Sequence, residues 1–275
     1  MSSGSRLVAR AIRAEWTKLR SVPSTSWLLL ATVALTIAFG LLVCTAVDTA
    51  GGPPGCALGR PGCGDEDVVL NSLAGVYLGQ LAVIALSVLT ATSDYATGTI
   101  QATFAAIPRR STVVLAKTAV LALPVLAAGL VASAGSFLLG QPILHTNGFV
   151  PTHGYPLVSL LDPPVARAII GTTLYLGVIA ILAFAIGTIT RRAGAAITAT
   201  VAIVYAPAII SLVLADPLRG WLQQLSPMMA GLAIQRTVPR ADSVPIGNWA
   251  GLGVATLWSA IALTAATQLV RRRDI

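Results

Sequence analysis

Charge is the scarcest property of this sequence. Only 10% of its 275 residues are Asp, Glu, Lys or Arg, against about 25% in an ordinary soluble domain. A chain this poor in charge cannot cover a globular surface with it, which disfavours a cytosolic enzyme, a disordered protein and a nucleic-acid module. Three cysteines in that length exclude a disulfide scaffold. Histidine is limited to His145 and His153. Neither has a carboxylate at metal-ligand spacing, so both read as ordinary exposed side chains and no metal site is expected. Lysine is nearly missing: of 18 basic residues only Lys18 and Lys117 are lysine. The arginine, alanine and glycine usage points to a GC-rich bacterial genome and says nothing of function. There is no G-x-x-x-x-G-K-[ST] phosphate loop, no H-E-x-x-H pair and no G-x-S-x-G turn. The chain is therefore not expected to be an enzyme, and no cofactor is expected on it.

What the sequence does have is apolar length. Hydrophobic residues make up 55% of the chain and mean hydropathy is +0.81. Six stretches reach the roughly 20 residues a helix needs to cross a hydrocarbon core. They lie at about 27–47, 70–92, 112–139, 164–190, 195–215 and 248–270. Pro124 and Pro207 fall inside two of them, which disfavours soluble helices but is tolerated where neighbouring helices re-satisfy the backbone. The expected fold is an all-α integral membrane protein with six transmembrane helices in a single membrane domain, 1–275. The first stretch is about 21 residues, longer than the 7–15 residues of a signal-peptide core, and reads as retained. Leu41-Leu42-Val43-Cys44 is a poor lipoprotein site, and Cys44 reads as a small buried hydrophobe.

The net charge of +8 is distributed unevenly. Arg6, Arg10, Arg13, Lys18, Arg20, Arg109, Arg110, Lys117, Arg191, Arg192, Arg271, Arg272 and Arg273 fall on one side of the six stretches. The other side has only Arg60, Arg167, Arg219, Arg236 and Arg240, and seven of the ten acids. By the positive-inside rule both termini are cytoplasmic, as an even number of spans requires. The expected location is the plasma membrane, multi-pass, with the bilayer and no nucleic acid as a partner.

Outside the spans, 6–22 reads as an interfacial elbow helix. Arg6, Arg10, Arg13, Thr17 and Arg20 share one face, and Val8, Ile12, Trp16 and Leu19 another. Residues 94–110 are too polar to span. Ile100, Phe104 and Ile107 recur at helical spacing, Pro108 would end the helix, and Arg109 and Arg110 complement its negative end. An apolar stripe there needs lipid, the rest of the protein or a partner to cover it. The Gly- and Pro-rich loop after the first span holds Cys56 and Cys63. These form a candidate disulfide in an oxidising exterior, with two free thiols as the alternative. Asp162-Pro163-Pro164 and Asp216-Pro217 are helix starts. The segment 216–247 is too apolar for an exterior loop and is expected to form one or two short helices dipping into the outer leaflet.

Within the six cores there is no Asp, Glu or His. Lys117 and Arg167 lie near span ends, where they can snorkel. This weakens an ion-coupled carrier, which needs ionisable or unwound polar sites at mid-membrane. Gly75-x-x-x-Gly79 and Gly247-x-x-x-Gly251 are expected to serve close helix packing.

Five segments carry a resemblance. Glu15-Trp16-Thr17-Lys18-Leu19-Arg20-Ser21 resembles the N-terminal elbow of ABC-2-type transporter permeases, especially actinobacterial ones. Asp94-Tyr95-Ala96-Thr97-Gly98-Thr99-Ile100, followed by Pro108-Arg109-Arg110 and Lys117, is similar to their segment after the second span, with Asp94 in place of the usual Glu. Arg191-Arg192-Ala193-Gly194 resembles the short second cytoplasmic loop. Ser226-Pro227-Met228-Met229-Ala230-Gly231 resembles the outer segment before the last span, and Arg271-Arg272-Arg273-Asp274 the basic tail. The segments occur in family order along nearly the whole chain.

The resemblance implies the permease subunit of an ATP-driven ABC exporter, forming the translocation path. Its partners would be a cytoplasmic ABC ATPase subunit, which holds the ATP and magnesium, and a second permease chain, identical or different. The coupling helix would lie at 94–110, with Asp94, Tyr95, Gly98, Thr99, Ile100, Phe104, Arg109 and Arg110 toward the ATPase. Arg191 and Arg192 would be a smaller contact, and Glu15, Trp16, Lys18 and Arg20 would form the elbow. The alternatives are an intramembrane lipid-modifying enzyme, active without ATP, and a membrane-anchored immunity or sensor protein that moves nothing.

Overall fold

The structure is a computed structural model that describes residues 13–18, 20–47, 66–96, 98, 110–153, 155–238 and 245–272. Among these residues there is helix and no strand. The helices are α1 (Pro23–Ala46), α2 (Val68–Leu73), α3 (Val76–Ala96), α4 (Arg110–Thr146), α5 (Pro163–Thr190), α6 (Ala193–Ser211), α7 (Leu218–Leu225), α8 (Pro227–Gly231) and α9 (Asn248–Arg272). Short 3-10 turns occupy Pro151–His153 and Leu232–Gln235. Six helical spans are long and apolar enough to cross a membrane, with α2 and α3 together making the second. The chain is a multi-pass membrane protein.

Helix α5 is the axis of the bundle. In its most apolar stretch 78% of residues are buried by the rest of the protein, against 17% in α6 and 22% in α1. It packs against α3, α4, α6 and α9. Its sequence permits this, because Gly171, Gly177 and Gly187 let neighbours approach closely. A Cβ at Gly171 would lie 2.1 Å from Ile234. Lipid is as apolar as leucine, so packing of small residues, rather than escape from water, holds such helices together. The outward faces carry Trp27, Leu30, Leu123, Val131, Leu257 and Ile261, all exposed. Many buried hydroxyls are satisfied within their own helices: Thr36, Ser87, Thr118 and Thr200 each donate to the carbonyl four residues back at 2.7–2.9 Å.

The second span is broken at Ala74-Gly75, which no proline announces. The break frees two carbonyls inside the bundle. Ser136 Oγ donates to Ser72 O at 2.6 Å, and Gln235 Nε2 donates to Leu73 O at 3.5 Å and to Thr172 Oγ1 at 3.0 Å. Neighbouring elements thus re-satisfy the interrupted backbone. The Gly75-x-x-x-Gly79 pair packs against α1 as its spacing implies: Cβ atoms there would meet Thr36 O at 1.7 Å and Thr36 Oγ1 at 1.9 Å. Gly251 meets the Ala230 carbonyl in the same way, whereas a Cβ on Gly247 would make only an ordinary contact with Ala250 at 3.9 Å.

Several ends differ from the sequence reading: α1 begins at Pro23 rather than Trp27, and α6 spans Ala193–Ser211 rather than 195–215. Helix α4 runs seven residues past 139, through Pro142 to Thr146, because its end is buried. Leu144 packs with Cys44, Phe149 and Tyr155, and Asn147 donates to the Cys44 and Val47 carbonyls at 2.9 and 3.1 Å. Asp162 occupies the N-cap position of α5 without capping it; its carboxylate accepts from Ser159 N at 2.6 Å instead, since Pro163 and Pro164 offer no N–H. The segment after α6 holds two short helices, α7 and α8, as the sequence reading expects, followed by a 3-10 turn, with Met228, Leu232 and Ile234 buried. His145 is exposed and Cys44 is a buried free thiol. Cys56 and Cys63 lie outside the described residues.

A polar knot closes the face opposite the chain ends. Asp67, only 1% exposed, caps α2 by accepting from Val69 N and Leu70 N at 3.1 and 3.0 Å. It also accepts from Thr237 N, Thr237 Oγ1 and Val238 N at 2.5, 2.7 and 3.0 Å. Arg167 was expected to snorkel. Its Nη2 instead donates to Arg236 O at 2.6 Å, a carbonyl that also accepts from Asn248 Nδ2 at 3.1 Å.

Candidate functional site: an ion-paired joint at the chain-end face

The elbow is helical at 13–18 and 20–21. Pro23 opens α1 and disfavours helical backbone at the preceding residue. Val22 is accordingly extended, with φ −94° and ψ 111°. The chain therefore turns at Val22, and the elbow lies apart from α1. Glu15 and Lys18 are three residues apart and share one side of it.

That side meets the ends of two spans. Lys18 Nζ pairs with Asp94 Oδ1, and Lys117 Nζ with Asp94 Oδ2. Glu15 Oε2 lies 3.8 Å from Lys117 Nζ. Side-chain exposure falls from 43% at Lys18 to 15% at Glu15, 7% at Lys117 and 1% at Asp94. Asp94 occupies the last turn of α3, where the helix dipole disfavours a carboxylate. The two ammonium groups offset that. Both lysines of the chain thus converge on one acid. A compact ammonium reaches a carboxylate oxygen where a planar guanidinium fork needs more room.

The sequence reading placed Asp94 in a separate coupling helix and let Lys117 snorkel. Instead, α3 continues through Asp94 to Ala96, and Lys117 turns inward to the acid. Asp94 is too buried to be a docking surface; it anchors. Tyr95 lies under Arg191, whose guanidinium carbon stands 5.1 Å from the ring centroid. Arg191 adopts the left-handed conformation, φ 59°, in a two-residue turn between α5 and α6, and Arg192 is exposed. Gly98 is exposed with φ +69°, a conformation that favours glycine. Arg110 opens α4. Trp16 is half-buried and Arg20 exposed. Thr99, Ile100, Phe104 and Arg109 lie outside the described residues.

Burial pushes the Glu15 carboxyl above the ordinary carboxylate range, against the opposing pull of Lys117 and Lys18, while the Asp94 charge adds to the rise. The folded protein therefore keeps this proton to a higher pH than the unfolded chain. Stability falls as pH rises from the ordinary carboxylate value through the raised folded value. Glu15→Gln removes that component. Melting temperatures of both proteins between about pH 4 and 8 are expected to diverge, the wild type losing ground as pH rises. Parallel curves would show that Glu15 keeps an ordinary pKa.

Beside the joint lies a cavity of about 390 Å³ between the elbow, α1 and α3. No protein-family model and no curated protein matches the chain.

Proposed function

We propose that this chain is the permease subunit of an ATP-driven exporter of the ABC-2 type, with its ends in the cytoplasm and a separate ATPase beneath it. The observation that carries this reading is the joint. Asp94 and Lys117 fasten the two ends of the segment that connects α3 to α4, and Lys18 fastens the elbow to the same point. A partner that displaces residues 97–109 moves α3, α4 and the elbow together. The sequence offers no phosphate loop of its own, so the work comes from outside the chain. The closed, ATP-bound partner dimer must bind one arrangement of these helices better than the other, since only differential affinity shifts a conformational equilibrium. Hydrolysis then resets it. Arg192, exposed in the α5–α6 turn, offers the partner a second contact. A second permease chain completes the path across the membrane.

Tagging the chain at its C-terminus and extracting it gently from its native host is expected to bring down a phosphate-loop ATPase at comparable abundance. Purification of the chain without any ATPase, repeated after cross-linking in cells, would overturn the reading and favour a self-contained membrane enzyme or anchor.

A further inference from the structure

We propose that the cavity beside the joint is a binding site for one anionic phospholipid. This inference needs only a membrane and does not rest on the transport reading.

The cavity has two chemically distinct ends. Glu15, Lys18, Asp94 and Lys117 stand at one, and away from them the wall is mainly apolar, with Val22, Leu28, Leu86 and Leu89 interspersed with the hydroxyls of α1 and α3. Along α3, Asp94 and Leu86 are eight residues apart, so the pocket reaches about 12 Å from the charged rim into the span. That gradient runs as a lipid does, from headgroup to acyl chain. Its volume of about 390 Å³ falls within the range of small-molecule sites, about 300–1,000 Å³. A soluble polar ligand would leave the leucine wall unused. An uncharged amphiphile would leave the lysine unused.

The charge at the rim selects the headgroup. Lys18 has three donors. One is spent on Asp94, and 43% of its side chain remains exposed. The acids are already engaged: Asp94 holds both lysines, and Glu15 lies beside Lys117. A phosphate therefore meets free donors, while a choline ammonium meets no free carboxylate. The elbow is an interfacial segment, so the site opens where anionic headgroups concentrate.

Native mass spectrometry of the purified full chain tests this, with phosphatidylglycerol and phosphatidylcholine offered at equal concentration. One phosphatidylglycerol is expected to be retained about tenfold over phosphatidylcholine: both lipids bring a phosphate to Lys18, but the choline of phosphatidylcholine adds a like charge beside that ammonium. Leu89 is 40% exposed, so Leu89→Trp can fill the apolar part without disturbing the joint. It is expected to reduce retention about fivefold at an unchanged melting temperature, a loss within what one pocket-filling change produces. Lys18→Gln is expected to bring phosphatidylglycerol down to the phosphatidylcholine level. Equal retention of both lipids by the wild type, or undiminished retention by Leu89→Trp, would overturn the proposal. So would displacement of the lipid by inorganic phosphate alone, because the acyl chain would then contribute nothing.

Discussion

Replacing Asp94 by leucine is expected to cost about 3–5 kcal/mol, the penalty for removing one partner of a buried ion pair. The two lysines would respond differently. Lys18 keeps 43% of its side chain in solvent and can turn away, whereas Lys117 is 7% exposed and cannot. The loss is therefore that of a buried ammonium deprived of its close carboxylate and left with Glu15 alone, 3.8 Å away. Two further variants separate this from general damage. Asp94→Leu combined with Lys117→Met removes both buried charges and is expected to recover most of the stability, since a buried pair is often replaceable by apolar side chains of similar size. Lys18→Ala alone, at an exposed position, is expected to change stability by about 1 kcal/mol or less. Unfolding of the detergent-purified protein by SDS titration measures all three. A single Asp94→Leu variant as stable as the wild type would mean that Lys117 does not depend on Asp94.

Gly75→Ala is the second large effect. A Cβ there would stand 1.7 Å from Thr36 O, 2.6 Å from Thr36 C and 2.9 Å from Gly40 N. All three are backbone atoms of α1, so no rotamer change relieves the clash. The second span and α1 must separate, and the contacts of Thr36 with Gly79 and of the Ser72 carbonyl with Gly40 go with them. Overpacking typically costs about 1–3 kcal/mol. A clash with backbone is expected at or above the top of that range, visible as a loss of folded yield and a lowered melting temperature. Gly194, near the start of α6, is the control. Nothing lies within 4 Å of a Cβ placed there, and alanine in a helix is favoured over glycine by about 0.5–1 kcal/mol. Gly194→Ala is expected to be neutral or stabilising. Similar losses at both positions would show that the glycine contact is not what holds the two helices together.

The six spans were legible because a bilayer imposes one requirement, apolar length, which every window of the sequence either meets or fails. Their ends are set by particular contacts, and these were not legible. Nothing near Pro142 signals that Leu144 is buried and draws α4 onward. Nothing at Ala74-Gly75 signals a break, because the side chains that make it tolerable by donating to the freed carbonyls, Ser136 and Gln235, lie far along the chain. The elbow, Glu15, Lys18 and Asp94 stood out in the sequence, but their relation to Lys117 did not. Helical periodicity links residues three or four apart and is silent about a pair separated by 23. One signal was available. In a chain that uses arginine for sixteen of its eighteen basic residues, the two lysines were the exception, and both meet Asp94.

The sequence separations of the two polar centres imply an order of assembly. Asp94 and Lys117 are 23 residues apart and belong to consecutive spans. Their charges can neutralise each other as soon as α4 follows α3 into the bilayer, with Lys18 already synthesised. Asp67 must wait for Thr237, 170 residues downstream. Chains emerge from the ribosome N-terminus first, at roughly 5–20 residues per second, so the knot on the far face is completed only when most of the chain has been made. The protein is sewn from the chain-end side outward, and the last stitch is the one that joins its early and late halves.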